Sequence, residues 1–114
     1  MRLYPALLKV ATKHGIRIVK TCDIKYITAK NVHSKIFQVD GGSFETHHTL
    51  KWFERKLPTN SYCRCHRSFI VNFSNVLSYT SGYFVMLDKS TVKISRQRKN
   101  SVLDSYNKFI EMKT

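Results

Sequence analysis

Tyr62-Cys63-Arg64-Cys65-His66-Arg67-Ser68-Phe69-Ile70-Val71-Asn72 is the stretch that decides the fold. Tyr62 to Cys65 reads as extended chain, and Phe69-Ile70-Val71 as a short apolar run ending at Asn72. Side chains two apart on a strand share a face, so Cys63 and Cys65 behave as two core residues. Cys63-x-Cys65-His66 also has the look of a metal site, but structural zinc takes CxxC-type spacing and four ligands. No metal and no cofactor is expected. With Cys22 the cysteines number three, an odd count without framework spacing, which argues against a secreted disulfide fold. Whether Cys22, Cys63 or Cys65 senses redox conditions stays open.

Upstream, residues 6–10 and 15–19 are short apolar runs joined through Gly15, the pattern of a hairpin. A third strand covers 23–28, and the polar stretch 29–34 reads as a loop. A fourth strand, 35–39, closes on Asp40-Gly41-Gly42, and a fifth covers 43–46. The period then changes. Leu50, Phe53 and Leu57 form one stripe of a helix of about three turns, with Thr49 as N-cap and Pro58 as its stop. Downstream, residues 76–79, 83–87 and 91–94 make a three-stranded meander. Val102, Leu103, Tyr106, Phe109 and Ile110 give a final amphipathic helix, with Ser95 as N-cap. No internal repeat or linker interrupts residues 1–114, which read as a single domain.

Charge points to the partner. Twenty Lys and Arg face seven Asp and Glu, a formal net charge of +13 spread from Arg2 to Lys113. With 42% apolar residues, four Gly and two Pro, the chain has a core to build and is no disordered tail. A compact body with that excess repels itself, and a polyanion, above all nucleic acid, relieves the repulsion. A membrane surface would ask for a polybasic cluster or a basic amphipathic helix. No apolar run approaches the ~18 residues that span a bilayer. Met1–Val10 is too short and broken for a signal peptide, so a cytoplasmic location is expected. Arg96, Arg98 and Lys99 fall in the first turn of the last helix, where the dipole is unfavourable to cations and a bound anion would reverse the effect.

The decisive stretch resembles the signature of LytTR domains, an aromatic-x-R-x-H-R-S-aromatic-aliphatic-V-N string. About 20 residues further on, Val92-Lys93-Ile94-Ser95-Arg96 is similar to the family's V-x-V-S-R segment. Upstream, Asp23-Ile24-Lys25-Tyr26-Ile27-Thr28-Ala29 is similar to its D-I-x-Y-I-E-A strand. The matches run from roughly residue 20 to 110. The resemblance implies a mainly β fold: an elongated arrangement of three small antiparallel sheets with two short helices, one C-terminal. It also implies a bacterial transcription regulator, stand-alone or the output domain of a response regulator. Such a regulator binds double-stranded DNA, bends it, and inserts loops into successive major grooves.

The same resemblance assigns residues. His33 falls where the family places a base-reading side chain, and Arg67 where a second reading loop begins. Arg offers guanine O6 and N7 a bidentate fork. In the third loop the family often has Arg where this sequence has Gln97, between Arg96 and Arg98. Gln matches adenine, so Arg96, Gln97 and Arg98 all stand as base-contact candidates. Lys30, Asn31, Ser34, Lys35, Arg64 and Lys99 are assigned to phosphate, which positions rather than specifies. His66 and Asn72 are either structural or DNA-facing, since a polar group near a small core must be paired. Paired direct repeats are the expected sites, occupied by two copies or a dimer. A receiver domain or a membrane partner is the expected regulator, and no small-molecule substrate is expected.

Other functions fit less well. The seven carboxylates are scattered singly rather than clustered for Mg²⁺, and no phosphate loop or nucleophile elbow is present, so no enzyme is expected. An RNA-binding module would show paired sheet-face aromatics or a GXXG loop. A protein-interaction domain remains the other alternative.

Overall fold

Ile70 and Val71 are neighbours in the chain, yet each lies in a different hydrophobic core. Alternation along a strand explains this, because successive side chains leave opposite faces of a sheet. The computed structural model describes residues 6–113. The leader reading of Met1–Pro5 lies outside the described residues.

Five strands form the central sheet, in the order β5-β4-β3-β7-β6. They are β3 (Ile24–Lys30), β4 (His33–Gln38), β5 (Ser43–Thr46), β6 (Tyr62–His66) and β7 (Phe69–Asn72). All pairings are antiparallel. On one face Ile27 sits opposite Ile36 on one side and Ile70 on the other, a β-branched row. The hairpin of β1 (Leu7–Thr12) and β2 (Gly15–Lys20) and helix α1 (Leu50–Lys56) cover that face with Val10, Val19, Leu50 and Phe53. The other face carries Cys65 and Val71. It meets the sheet β10-β9-β8 and helix α2 (Lys99–Lys113), which supply Phe84, Met86, Val92, Val102, Tyr106 and Phe109. The third sheet consists of β8 (Val76–Tyr79), β9 (Tyr83–Met86) and β10 (Thr91–Lys93). Its turn is tied to the central sheet by an ion pair from the buried Lys25 to Asp88, which holds that carboxyl well below the usual range.

The expected fold is therefore present: three antiparallel sheets and two helices, the second C-terminal. The extents are 38 × 36 × 25 Å, so the elongation is spread over two directions. Four local expectations are corrected. Residues 29–34 are not a loop, because β3 and β4 stay paired to Lys30↔His33 and only Asn31-Val32 turn. Asn31 takes φ 53°, a left-handed conformation that Asn tolerates. Helix α1 has seven residues rather than three turns. Thr49 does cap it, accepting from Trp52 N at 3.2 Å, but Leu57 is already extended, as the residue before a proline tends to be. Helix α2 begins at Lys99, so Arg96 and Arg98 precede it. The first helical bond is Val102 N to Arg98 O (2.9 Å), and Ser95 Oγ caps only the turn before it, accepting from Arg98 N (3.2 Å). Lys99 stays in the first turn and Arg98 stands at its cap, so the cations still gather at the positive end of the dipole. Ile110, expected on the packed face, is 39% exposed.

Candidate nucleic-acid interface

Three turns, far apart in sequence, meet on one side of the molecule. The first is Asn31-Val32 with its flanks Lys30 and His33. The second is the His66–Ser68 turn between β6 and β7. The third is Ser95 to Lys99, between β10 and α2. Backbone bonds set their spacing. Ala29 N donates to Ser68 O at 2.9 Å, which joins the first to the second. Ser95 N donates to Cys65 O at 2.9 Å, which joins the third to β6.

The surface between them is a chain of open depressions. One of ≈ 580 Å³ is bordered by Asn31, His33, Arg64 and Arg67. Arg67 also borders the next, of ≈ 510 Å³, with His66, Ser95, Arg96, Gln97 and Arg98. His66 and Arg96 then border a third, of ≈ 500 Å³, with Lys93 and Lys99. The shared residues make these depressions one continuous basic band.

Within that band the assigned residues play different parts. His33, Arg67, Arg96 and Gln97 are exposed. Arg98 is half-buried, and its Nη1 donates to Arg64 O at 3.3 Å. Arg64 is committed inward: its guanidinium donates to His66 O, to Arg67 O and to the Glu54 carboxylate of α1. It shapes the second turn from within. His66 does the same from the other side, its Nδ1 accepting from Ser68 N at 3.0 Å. That bond needs a neutral ring nitrogen. Burial lowers the His66 pKa first, and the cations Lys93, Arg67, Arg98 and Arg64 lower it further.

Asn72 is 2% exposed, donates to Ile24 O at 2.8 Å and accepts from Ser74 N at 3.0 Å. Its side chain is a structural bracket inside the fold. Ser34 is fully buried, with its hydroxyl 2.7 Å from that of Thr46. It presents no surface to a phosphate, because residues alternate across β4 and His33 takes the outward place. Lys30 pairs with Glu45 at 2.9 Å, and this bond holds the Glu45 carboxyl below its usual range. Lys35 lies with its Nζ 5.2 Å from the Phe37 ring centroid.

Two cations were missed by the sequence reading. Lys51 and Arg55 of α1 are exposed and border the first depression. Their i, i+4 spacing opposite the Leu50/Phe53 stripe was the available signal. Cys63 and Cys65 pack as core residues do. Burial raises the Cys63 pKa to about 11 and that of Cys65 to about 12, so neither is a ready thiolate near neutrality. Cys22 is exposed. Among the described residues no helix is long and apolar enough to cross a membrane.

A family model described as the LytTr DNA-binding domain matches residues 14–106. Two curated proteins named sensory transduction protein LytT are similar. The one from Bacillus subtilis (strain 168) is 33% identical over 94 residues, covering 78% of this chain and 39% of its own length. The one from Bacillus anthracis is 39% identical over 101 residues, covering 78% of this chain and 38% of its own length. The chain thus spans about two-fifths of the curated relatives it matches. Among solved structures, the LytTr DNA-binding domain of a response regulator from Bacillus cereus superposes with a TM-score of 0.72 at 25% identity, covering 89% of this chain and 95% of that one.

Proposed function

The chain belongs to the LytTr DNA-binding domain family, and on that premise we propose that it binds specific duplex sites by setting its three turns into successive major grooves. The observation that carries this reading is the joining of three sequence-distant turns into one basic band.

His33, Arg67 and the pair Arg96 and Gln97 read base edges, since these side chains are exposed at or beside the turns. Arg98 stands behind them as a support. Lys30, Asn31, Lys35 and Lys99 hold phosphates, joined by Lys51 and Arg55 from α1. Arg64 acts through the turn it braces rather than by touching DNA. In the cell this activity serves transcription regulation from the cytoplasm, with two copies on paired direct repeats and a receiver domain or membrane partner in control.

Selection from a random duplex pool at fixed salt tests the proposal. A recurring motif is expected to emerge. Failure to enrich any motif, or tighter binding to single-stranded RNA than to the best duplex, would overturn it.

A further inference from the structure

We propose that the tip of the β1–β2 hairpin is a fourth contact, which holds the DNA backbone beside the turn that carries His33. This rests on the duplex-binding reading above and adds a phosphate site to it.

The hairpin turns through Lys13 and His14, both exposed. The turn is locally ordered. Thr12 Oγ1 accepts from His14 N at 3.1 Å and donates to Gly15 O at 2.9 Å, and Gly15 takes φ +110°, which favours glycine. The hairpin is also fixed in place. His47 N donates to Ala11 O at 2.8 Å, and Ala11 N donates to His48 Nε2 at 3.0 Å. His48 in turn stacks on Trp52 of α1, with ring centroids 3.5 Å apart. The tip is therefore a positioned element, which lowers the entropy cost of a contact made there.

Between the tip and β5 lies an open depression of ≈ 440 Å³. Lys13, His14, Arg17, His33 and His47 border it. The rings of His33 and His47 lie 4.9 Å apart. One carboxylate, that of Glu45, borders it as well, and it is already bonded to Lys30. Arg17 lies over the Phe44 ring at 3.8 Å and forms part of the wall. Cationic and imidazole groups thus outnumber the single paired acid, which suits a phosphodiester. His33 borders this depression and the first of the basic band alike, so the two surfaces are continuous. A duplex seated on the three turns carries its backbone onto the hairpin tip.

The test compares wild type, Lys13→Ala and Lys13→Glu on a duplex with long flanks around the selected site and on two duplexes trimmed on one flank or the other. Each phosphate contact contributes about 0.9 to the slope of log affinity against log salt. Lys13→Ala is expected to lower that slope by about one, so its deficit against wild type shrinks about 3.5-fold between about 50 and 200 mM salt. Lys13→Glu is expected to lose more, with the preferred sequence unchanged for both. The deficit should vanish on one trimmed duplex, which lacks the phosphates in question. Lys108→Ala, on an exposed ion-paired residue of α2, should leave the slope nearly unchanged. An unchanged slope for both Lys13 variants, a deficit that survives on both trimmed duplexes, or an equal effect of Lys108→Ala would overturn the hairpin contact. Failure of wild type to bind any duplex would overturn the duplex reading itself, which separates the two results.

Discussion

The second and third turns sit side by side, bordering one depression, and are built in opposite ways. The β6–β7 turn is braced from within. Arg64 ties down two of its carbonyls and reaches Glu54, while the His66 ring accepts from its amide at Ser68. One exposed side chain, Arg67, stands on that rigid support. The stretch from Ser95 to Lys99 is held at its two ends, at Ser95 by Cys65 O and at Arg98 by its bonds to Ser95 and to Arg64 O, and leaves Arg96 and Gln97 exposed between them. A braced turn loses little freedom when it binds and tolerates few partners. Two exposed long side chains lose more rotamer freedom on binding and adapt more. The proposed binding face thus sets one exposed side chain on a braced turn beside two exposed neighbours on the next.

Breaking the brace should have the largest effect. Arg64→Ala removes charge-assisted bonds to two carbonyls and an ion pair, and is expected to lower unfolding stability by about 2–3 kcal/mol. Arg64→Lys should recover little of this, because an ammonium cannot match the fork geometry. Urea denaturation measures both, and a loss below about 0.5 kcal/mol would show that the turn does not depend on the brace. Next comes the reader on the brace. Arg67→Ala should weaken binding to the selected site by about 1–3 kcal/mol and relax preference at one position, with stability unchanged. An equal loss on all sequences would make Arg67 a phosphate contact.

The third turn should divide its work between neighbours. Gln97→Ala is expected to alter base preference with the salt slope unchanged, and Arg96→Ala to alter both, the slope by about one unit. The reverse result would exchange their roles.

The smallest effect is a pH dependence of the brace. Burial and the surrounding cations hold the His66 pKa below the ordinary histidine value of about 6.5, so the unfolded chain binds the proton more readily. Its contribution is fully present above about 6.5 and is lost as pH falls toward the lower folded value. Denaturation midpoints should therefore drop on acidification across that window, and His66→Gln should flatten the dependence. His48 shares the direction, lowered by burial and then by His47 and Lys56, and its loss would remain.

Much of this design was legible in the residues. The Tyr62–Asn72 string, with Val92–Arg96 and Asp23–Ala29, was enough to identify the family and its sheets. Phe69-Ile70-Val71 was legible as a short apolar run, and the fold divides Ile70 and Val71 between the two cores. What failed was local and physical. The polar run 29–34 looked like a loop because burial of Ser34 against Thr46 depends on β5, which lies elsewhere in the chain. Ser95 looked like the cap of a helix because its bond to Cys65 O, which keeps it in register with β6, is not visible in sequence spacing. Arg64 looked like a phosphate ligand because cationic type is written in the sequence while the direction of a guanidinium is not.

The sequence by itself determined the periodicities, the basic excess and the family, since these depend on residue type and local spacing alone. Tertiary structure alone decided which of the polar residues face outward. Lys13, Lys51 and Arg55 came to border depressions shared with His33, while Asn72 and Ser34 went inside. That choice rests on pairings between distant segments, whose hydrogen bonds and burial settle together only once the chain has folded.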